Sequence, residues 1–225
     1  MSYEFIEYPD RDMLAIDLAN QLAGDLRAAL HHEDRVALAV PGGTSPGPVF
    51  DDLCAADLDW SRVDVLLTDE RWVPEDSPRS NTRLLRERLL VNRAEAARLL
   101  PLYAPAEDPD EVLADLETPI APELPLAVVL LGMGADRHTA SLFPGADRLA
   151  DALDGHAPIL LPMRAPGAPE PRITLSARVL EGALRKHVLI FGEEKREALE
   201  TARGMSPLDA PINAVLSGAI VHWAA

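Results

Sequence analysis

Residues 126–131 are six consecutive apolar side chains that break abruptly into Gly132-Met133-Gly134, and Asp136, Arg137, His138 and Thr139 follow at once. A short apolar run without alternation, closed by glycines, predicts a strand buried on both faces, as in a parallel sheet covered by helices. The loop after such a strand lies at its carboxyl end, where open α/β sheets bind ligands. This loop offers a carboxylate, a guanidinium and an imidazole beside backbone that can approach a ligand closely. Taken alone, it reads better as a connecting turn with a polar histidine.

Two further strand ends carry polar sets of their own. A predicted strand at 35–40 runs into Pro41-Gly42-Gly43-Thr44-Ser45-Pro46, with a helix expected over 47–56. Strand, glycine pair, hydroxyls and helix start aim several backbone N–H groups at one spot. The spacing matches neither G-x-x-x-x-G-K-[ST] nor G-x-G-x-x-G, so by itself it is a turn. The second strand, 63–67, ends in Thr68-Asp69-Glu70-Arg71-Trp72. Two carboxylates and a guanidinium at a buried strand end are costly unless partnered, and a local ion pair would satisfy that requirement.

Around these ends the pattern alternates strand and helix. Leu14, Leu18, Leu22, Leu26 and Leu30 mark an amphipathic first helix with Asp12 as its expected cap and His31-His32 at its end. A helix capped near Ser80 or Asn81 runs to Leu90, with Arg83, Arg86 and Arg88 on a solvated face. Helices are also expected at 94–100, 108–117, 176–183 and 193–203, and strands at 158–162, 172–175 and 186–191. Segments 211–216 and 219–223 close the chain, and a proline-rich loop spans 165–171. The linker at 119–125 is the best candidate boundary, yet the strands on either side belong to one sheet, so residues 1–225 are expected to form a single domain. The alternation predicts a parallel or mostly parallel sheet covered on both faces.

Charge narrows the partners. With 21 basic against 37 acidic residues the formal charge is −16, which argues against nucleic acid and anionic membrane surfaces. A small anion is still admissible, provided that basic side chains concentrate at its site. No apolar run approaches the roughly 18 residues of a membrane span, the first ten residues do not resemble a secretory signal, and the lone Cys54 cannot form an intramolecular disulfide. A cytoplasmic protein is expected. No histidine spacing such as H-E-x-x-H suggests a metal, and the oligomeric state is not legible.

In order and separation, P-G-G-T-S-P, D-E-R-W-V-P with a trailing S-N, and G-M-G-A-D-R-H-T-A-S-L-F-P-G closely resemble the motifs of the 6-phosphogluconolactonase family. Pro171–Leu175 (P-R-I-T-L) and the G-x-x-K of Gly192–Lys195 extend the likeness over nearly the whole chain. The resemblance implies a three-layer α/β/α fold with a mostly parallel, Rossmann-like sheet, shared with glucosamine-6-phosphate deaminases. It implies hydrolysis of 6-phospho-D-glucono-1,5-lactone, a phosphosugar lactone of the oxidative pentose phosphate route, without a cofactor or metal. On this reading His138 is the general base, Asp136 orients it and Arg71 stabilises negative charge at the lactone carbonyl. Gly42, Gly43, Thr44, Arg172 and Lys195 hold the phosphate, with Asp69 and Arg137 as further substrate contacts.

Two positions depart from the family pattern. Pro41 stands where a Ser usually precedes the glycine pair, and Arg137 stands where a Gly usually separates the Asp from the His. If position 137 needs a positive φ, arginine is strained there; otherwise Arg137 adds a cation near the substrate. Two other readings share the scaffold. A glucosamine-6-phosphate deaminase has D-G-H-I-A-F-N-E-P in the third motif, and its carboxylate position is Phe143 here. A sugar-phosphate sensor of the kind found in transcription regulators would need a DNA-binding segment, which one leading helix does not supply.

Overall fold

The computed structural model describes residues 2–166 and 168–225; Met1 and Gly167, the latter in the 165–171 loop, lie outside the described residues. In chain order the elements are β1 (Glu4–Glu7), α1 (Arg11–Leu30), β2 (Val36–Val40), α2 (Gly47–Leu53), β3 (Val63–Leu67), β4 (Asp69–Arg71), α3 (Asn81–Arg88), β5 (Arg98–Leu100) and α4 (Leu113–Glu117). They continue with β6 (Val128–Gly132), α5 (Leu149–Leu153), β7 (Leu160–Met163), β8 (Arg172–Leu175), α6 (Ala177–Glu181), β9 (Arg185–Phe191), α7 (Glu193–Ala202) and β10 (Ile220–Ala224).

Seven strands form one sheet in the order β1-β10-β9-β6-β2-β3-β5, and every neighbouring pair is parallel. β2 and β3 are buried along their whole length, which is why β2 reads as an unbroken apolar run and β3 as one interrupted only by Asp64. From β2 the chain proceeds outward through β3 to β5, then returns to the other side of β2 with β6 and moves outward through β9 to β10. The direction therefore reverses between β2 and β6, and the crevice outside their carboxyl ends is the topological switch point of the sheet. The glycine pair follows β2, and the Gly132–Gly134 loop follows β6. The three-layer α/β/α arrangement expected from the sequence is present.

Helix α1 packs its leucine stripe inward, with Leu14, Leu18, Leu22 and Leu26 fully buried. Its cap is Asp10, whose carboxylate accepts from the Met13 amide at 2.8 Å; Asp12 lies within the first turn and does not cap. Among the described residues, no helix is long and apolar enough to cross a membrane.

The sequence reading differs from the structure in several places. The expected helix at 94–100 is a 3-10 turn, Asn92–Ala96, followed by edge strand β5. Pairing with β3 and the ion pair from Arg98 to the buried Asp64 carboxylate, 2.6 Å, override the helical propensity of the alanines. Segment 108–117 divides at Val112 into a 3-10 turn and α4, and 211–216 contains the 3-10 turn Pro211–Ala214. Strand β1 and helix α5 were not anticipated. Nor was a second sheet, β4-β8-β7, which is antiparallel. Residues 69–71, expected as the polar end of the second strand, thus form a strand of their own.

Candidate active site

The second sheet explains how distant basic residues meet. β4 pairs with β8 so that Asp69 lies opposite Thr174, Glu70 opposite Ile173 and Arg71 opposite Arg172. Side chains alternate faces along a strand, so Asp69 and Arg71 share one face with Arg172, and Glu70 points the other way. Like charges directly opposite each other destabilise a sheet unless an anion screens them. Both guanidinium groups have a buried Nε without a hydrogen-bond partner, which is costly unless a ligand satisfies it. Arg71 Nη1 donates to the Arg79 carbonyl at 2.6 Å. Arg172 stands 3.7 Å from Asp69 Oδ2 and places its guanidinium carbon 5.4 Å from the centre of the Phe143 ring. Burial lowers the Arg172 pKa from its ordinary value, and Arg71 acts in the same direction; the guanidinium stays charged at any physiological pH.

Asp69 is itself held. Ser141 Oγ donates to one carboxylate oxygen at 2.6 Å, and Thr68 Oγ1 to the other at 3.2 Å. Glu70, fully buried, is a structural brace rather than part of the cavity. Its carboxylate accepts from the amides of Arg71, Asn81 and Thr82, each at 2.8 Å, and from the hydroxyls of Ser80 and Thr82. It thereby satisfies orphan donors at the start of α3 and binds that helix to β4.

At the end of β6 the loop closes on itself, with Gly134 N donating to His138 O at 3.0 Å and Arg137 N to Gly134 O at 2.9 Å. Glycine is required at 134 because a Cβ there would collide with the His138 ring. His138 Nδ1 lies 2.5 Å from Asp136 Oδ1, which also accepts from the His138 amide at 3.1 Å. The hydrogen bond from His138 holds the Asp136 carboxyl below the usual carboxylate range. An ionised Asp136 only accepts, so the ring proton sits on Nδ1 and Nε2 offers a lone pair. Nε2 has no partner among the described residues. Phe143 packs against the imidazole with ring centres 4.3 Å apart, occupying the position at which a deaminase places a carboxylate.

The remaining wall comes from the β2 turn and from α7. Gly43 has φ +85°, a conformation that favours glycine, and a Cβ on Gly42 would collide with the Asn81 side chain. Lys195, in the first turn of α7, is half-buried, and burial pulls its pKa below the ordinary lysine value. These parts enclose a cavity of about 280 Å³ lined by Gly42, Gly43, Thr44, Asp69, Arg71, His138, Arg172 and Lys195. The concentration of cations that an anion site in so acidic a chain requires is therefore present. Asp136 stands behind His138 and is not in the lining. Arg137 is not in the lining either: Nη2 donates to Thr201 Oγ1 on α7 at 3.0 Å, so the cation expected beside the substrate is directed elsewhere. Its φ is +70°, the strained alternative raised by the sequence.

Sequence reasoning missed Ser45, Asn81, Met133, Ala140 and Leu189, which also line the cavity. Asn81 was visible as a helix-cap candidate and as the end of the second motif, without a role at the site; its amide side chain donates to Asp69 O at 3.1 Å. The apolar members carry no chemical signal in a sequence. Among the described residues no group of three or more His, Cys, Asp or Glu side chains is arranged to hold a metal ion. The arrangement combines a proton acceptor of free Nε2, a fixed orienting carboxylate and three cations, which suits proton transfer on an anionic substrate.

Residues 9–223 match the family described as glucosamine-6-phosphate isomerases/6-phosphogluconolactonase. The 6-phosphogluconolactonase of Mesorhizobium japonicum is 44% identical over 99% of this chain and 96% of its own length. That of Pseudomonas aeruginosa is 41% identical over 92% of this chain and 88% of its own. The crystal structure of a 6-phosphogluconolactonase from Shewanella baltica superposes with a TM-score of 0.93 at 33% identity, covering 100% of this chain and 98% of that one.

Proposed function

The chain belongs to the glucosamine-6-phosphate isomerase/6-phosphogluconolactonase family, and from that premise we propose that His138 is the base with which it hydrolyses 6-phospho-D-glucono-1,5-lactone to 6-phospho-D-gluconate. It is an enzyme with 6-phosphogluconolactonase activity, acting in the oxidative pentose phosphate pathway. The reading further assigns it to the cytoplasm and to a small-molecule substrate.

His138 Nε2 accepts a proton from water as its oxygen attacks the lactone carbonyl carbon. The carbonyl pair moves to oxygen, and Arg71 stabilises the resulting oxyanion. Collapse re-forms the carbonyl, breaks the bond to the ring oxygen, and returns the proton from the imidazolium to that oxygen. Asp136 keeps the Nδ1 proton in place and stabilises the imidazolium between the two transfers. At the far end Gly42, Gly43, Thr44, Arg172 and Lys195 receive the phosphate, and Asp69 accepts from a sugar hydroxyl. Anchoring both ends presents the ester to the base as an effectively unimolecular reactant.

The observation that carries this reading is the meeting of the His138–Asp136 pair with Arg71, Arg172 and Lys195 on one cavity. The assay follows acid release and 6-phosphogluconate formation by the purified protein against the spontaneous rate. Acceleration by orders of magnitude is expected; no acceleration, with ammonia released from glucosamine 6-phosphate instead, would overturn the reading.

A further inference from the structure

We infer that Arg137 is a positioning residue, a brace that holds the loop of the base against the helix carrying Lys195, and so sets the distance between the two ends of the cavity. This rests on the function proposed above. The first observation is the backbone. Arg137 has φ +70°, a left-handed conformation that strains a side-chain-bearing residue and that glycine adopts without penalty. A strained residue persists where the surroundings over-determine it, so the contacts of this one identify its task.

Those contacts all lead to one place. Nη2 of Arg137 donates to Thr201 Oγ1 at 3.0 Å, and the Thr201 hydroxyl is turned back on its own helix, near Glu197 O at 2.9 Å and Ala198 O at 3.1 Å. The carbonyl of Arg137 accepts from Ile212 N at 3.1 Å. The next residue, Asn213, donates its side-chain amide to Ala202 O and Met205 O at 2.7 and 3.0 Å, which ties this turn to the end of α7. Arg137 is thus tied to α7 directly through its guanidinium, and indirectly through its carbonyl by way of the 211–214 turn. Within its own loop it is fixed by its amide to Gly134 O, and His138 is its chain neighbour. Lys195 lies in the first turn of the same α7. The base and a phosphate-end cation are therefore joined through Arg137 by a path that never enters the cavity.

A substrate gripped at the phosphate end gains from this only if the ester then falls on His138 Nε2. Misplacement by about an ångström can cost two orders of magnitude in rate without loss of binding. The brace accordingly acts on kcat, whereas a direct phosphate contact acts on KM.

The test uses Thr201→Val, which removes the acceptor and leaves the backbone at 137 untouched, alongside Arg137→Gly and the double variant. Each single variant should lose about tenfold in kcat with KM within twofold, and the double variant should lose no more than the worse single one. Affinity for inorganic phosphate, measured by calorimetry, should stay within twofold of wild type, whereas Lys195→Ala should weaken it. Arg137→Gly should also melt no lower than wild type, because the strained backbone is relieved. A Thr201→Val enzyme with wild-type kcat, additive losses in the double variant, or a loss confined to KM would each overturn the brace. Amide hydrogen exchange across residues 134–139 in the ligand-free protein separates this from the functional reading. Faster exchange in Thr201→Val supports the brace even if the wild type proves inactive on the lactone, and unchanged exchange refutes it even if the wild type is active.

Discussion

Two histidine sites in this protein use the same side chain for opposite ends. His138 stands on the cavity wall with Nδ1 on Asp136 and Nε2 free among the described residues. His187 and His222 lie side by side in β9 and β10, beneath α1, 1% and 0% exposed. Every ring nitrogen of that pair is used: His187 Nε2 meets Asp25 at 2.9 Å, the two rings meet at 3.0 Å, and His222 Nδ1 meets the Tyr8 hydroxyl at 3.0 Å. Tyr8 in turn donates to Asp17 at 2.6 Å, and Gln21 donates to Asp17 at 2.7 Å. Asp17, Gln21 and Asp25 recur along one face of α1, so the chain of polar groups fastens the helix to the sheet. A histidine with a spare nitrogen facing a cavity can do chemistry; two with none to spare hold a fold together.

The comparison can be broken most easily at the open site. His138→Ala should lower kcat by about 10²–10⁴ while leaving the melting temperature and the affinity for 6-phosphogluconate close to wild type. Retained turnover would move the base elsewhere. Asp136→Asn should keep the fold and lower kcat by about 10–10², less than the roughly 10⁴ of a buried triad aspartate, because this carboxylate is half exposed to water. A rise in KM of similar size instead, with kcat unchanged, would show that Asp136 acts on binding.

At the sealed site the outcome should be inverted. His222→Ala leaves His187 and Tyr8 short of a buried partner and should cost about 1–3 kcal/mol of stability in urea, with kcat per folded molecule unchanged. A smaller effect comes from pH. Burial lowers the His222 pKa from 6.5 to about 3, so the unfolded chain binds a proton that the folded chain refuses. Its contribution to stability is complete above about 6.5 and declines as pH falls toward about 3. His222→Gln should therefore flatten the dependence of the urea midpoint between pH 6.5 and 5, and a slope identical to wild type would remove His222 from the account.

Much of the fold was legible because buried strands leave short, largely apolar runs between breakers; parallel β3 and antiparallel β8 have the bounds read from the sequence, 63–67 and 172–175. Strand β4 was not, since Asp-Glu-Arg contains no apolar residue and becomes a strand only through its partner β8. The same partnership makes Arg71 and Arg172 neighbours, which no local pattern states. At the site, the loops that present His138 and the glycine pair were readable from their motifs. The direction of the Arg137 side chain was not, because it is decided by Thr201 on a separate element. The bracing role of Glu70 was hidden for a related reason: a carboxylate that caps a helix ten residues away looks, in sequence, like one awaiting a local ion pair.

The junction between β3 and β4 has a consequence for how the chain can change. A single residue, Thr68, separates the long sheet from the short one, and successive side chains in a strand face opposite ways. Adding or deleting one residue there would turn Arg71 toward α3 and Glu70 toward the cavity, exchanging an anion receptor for an anion repellent. Length variation among natural or engineered versions should therefore collect in the connection between β4 and α3 and spare this joint.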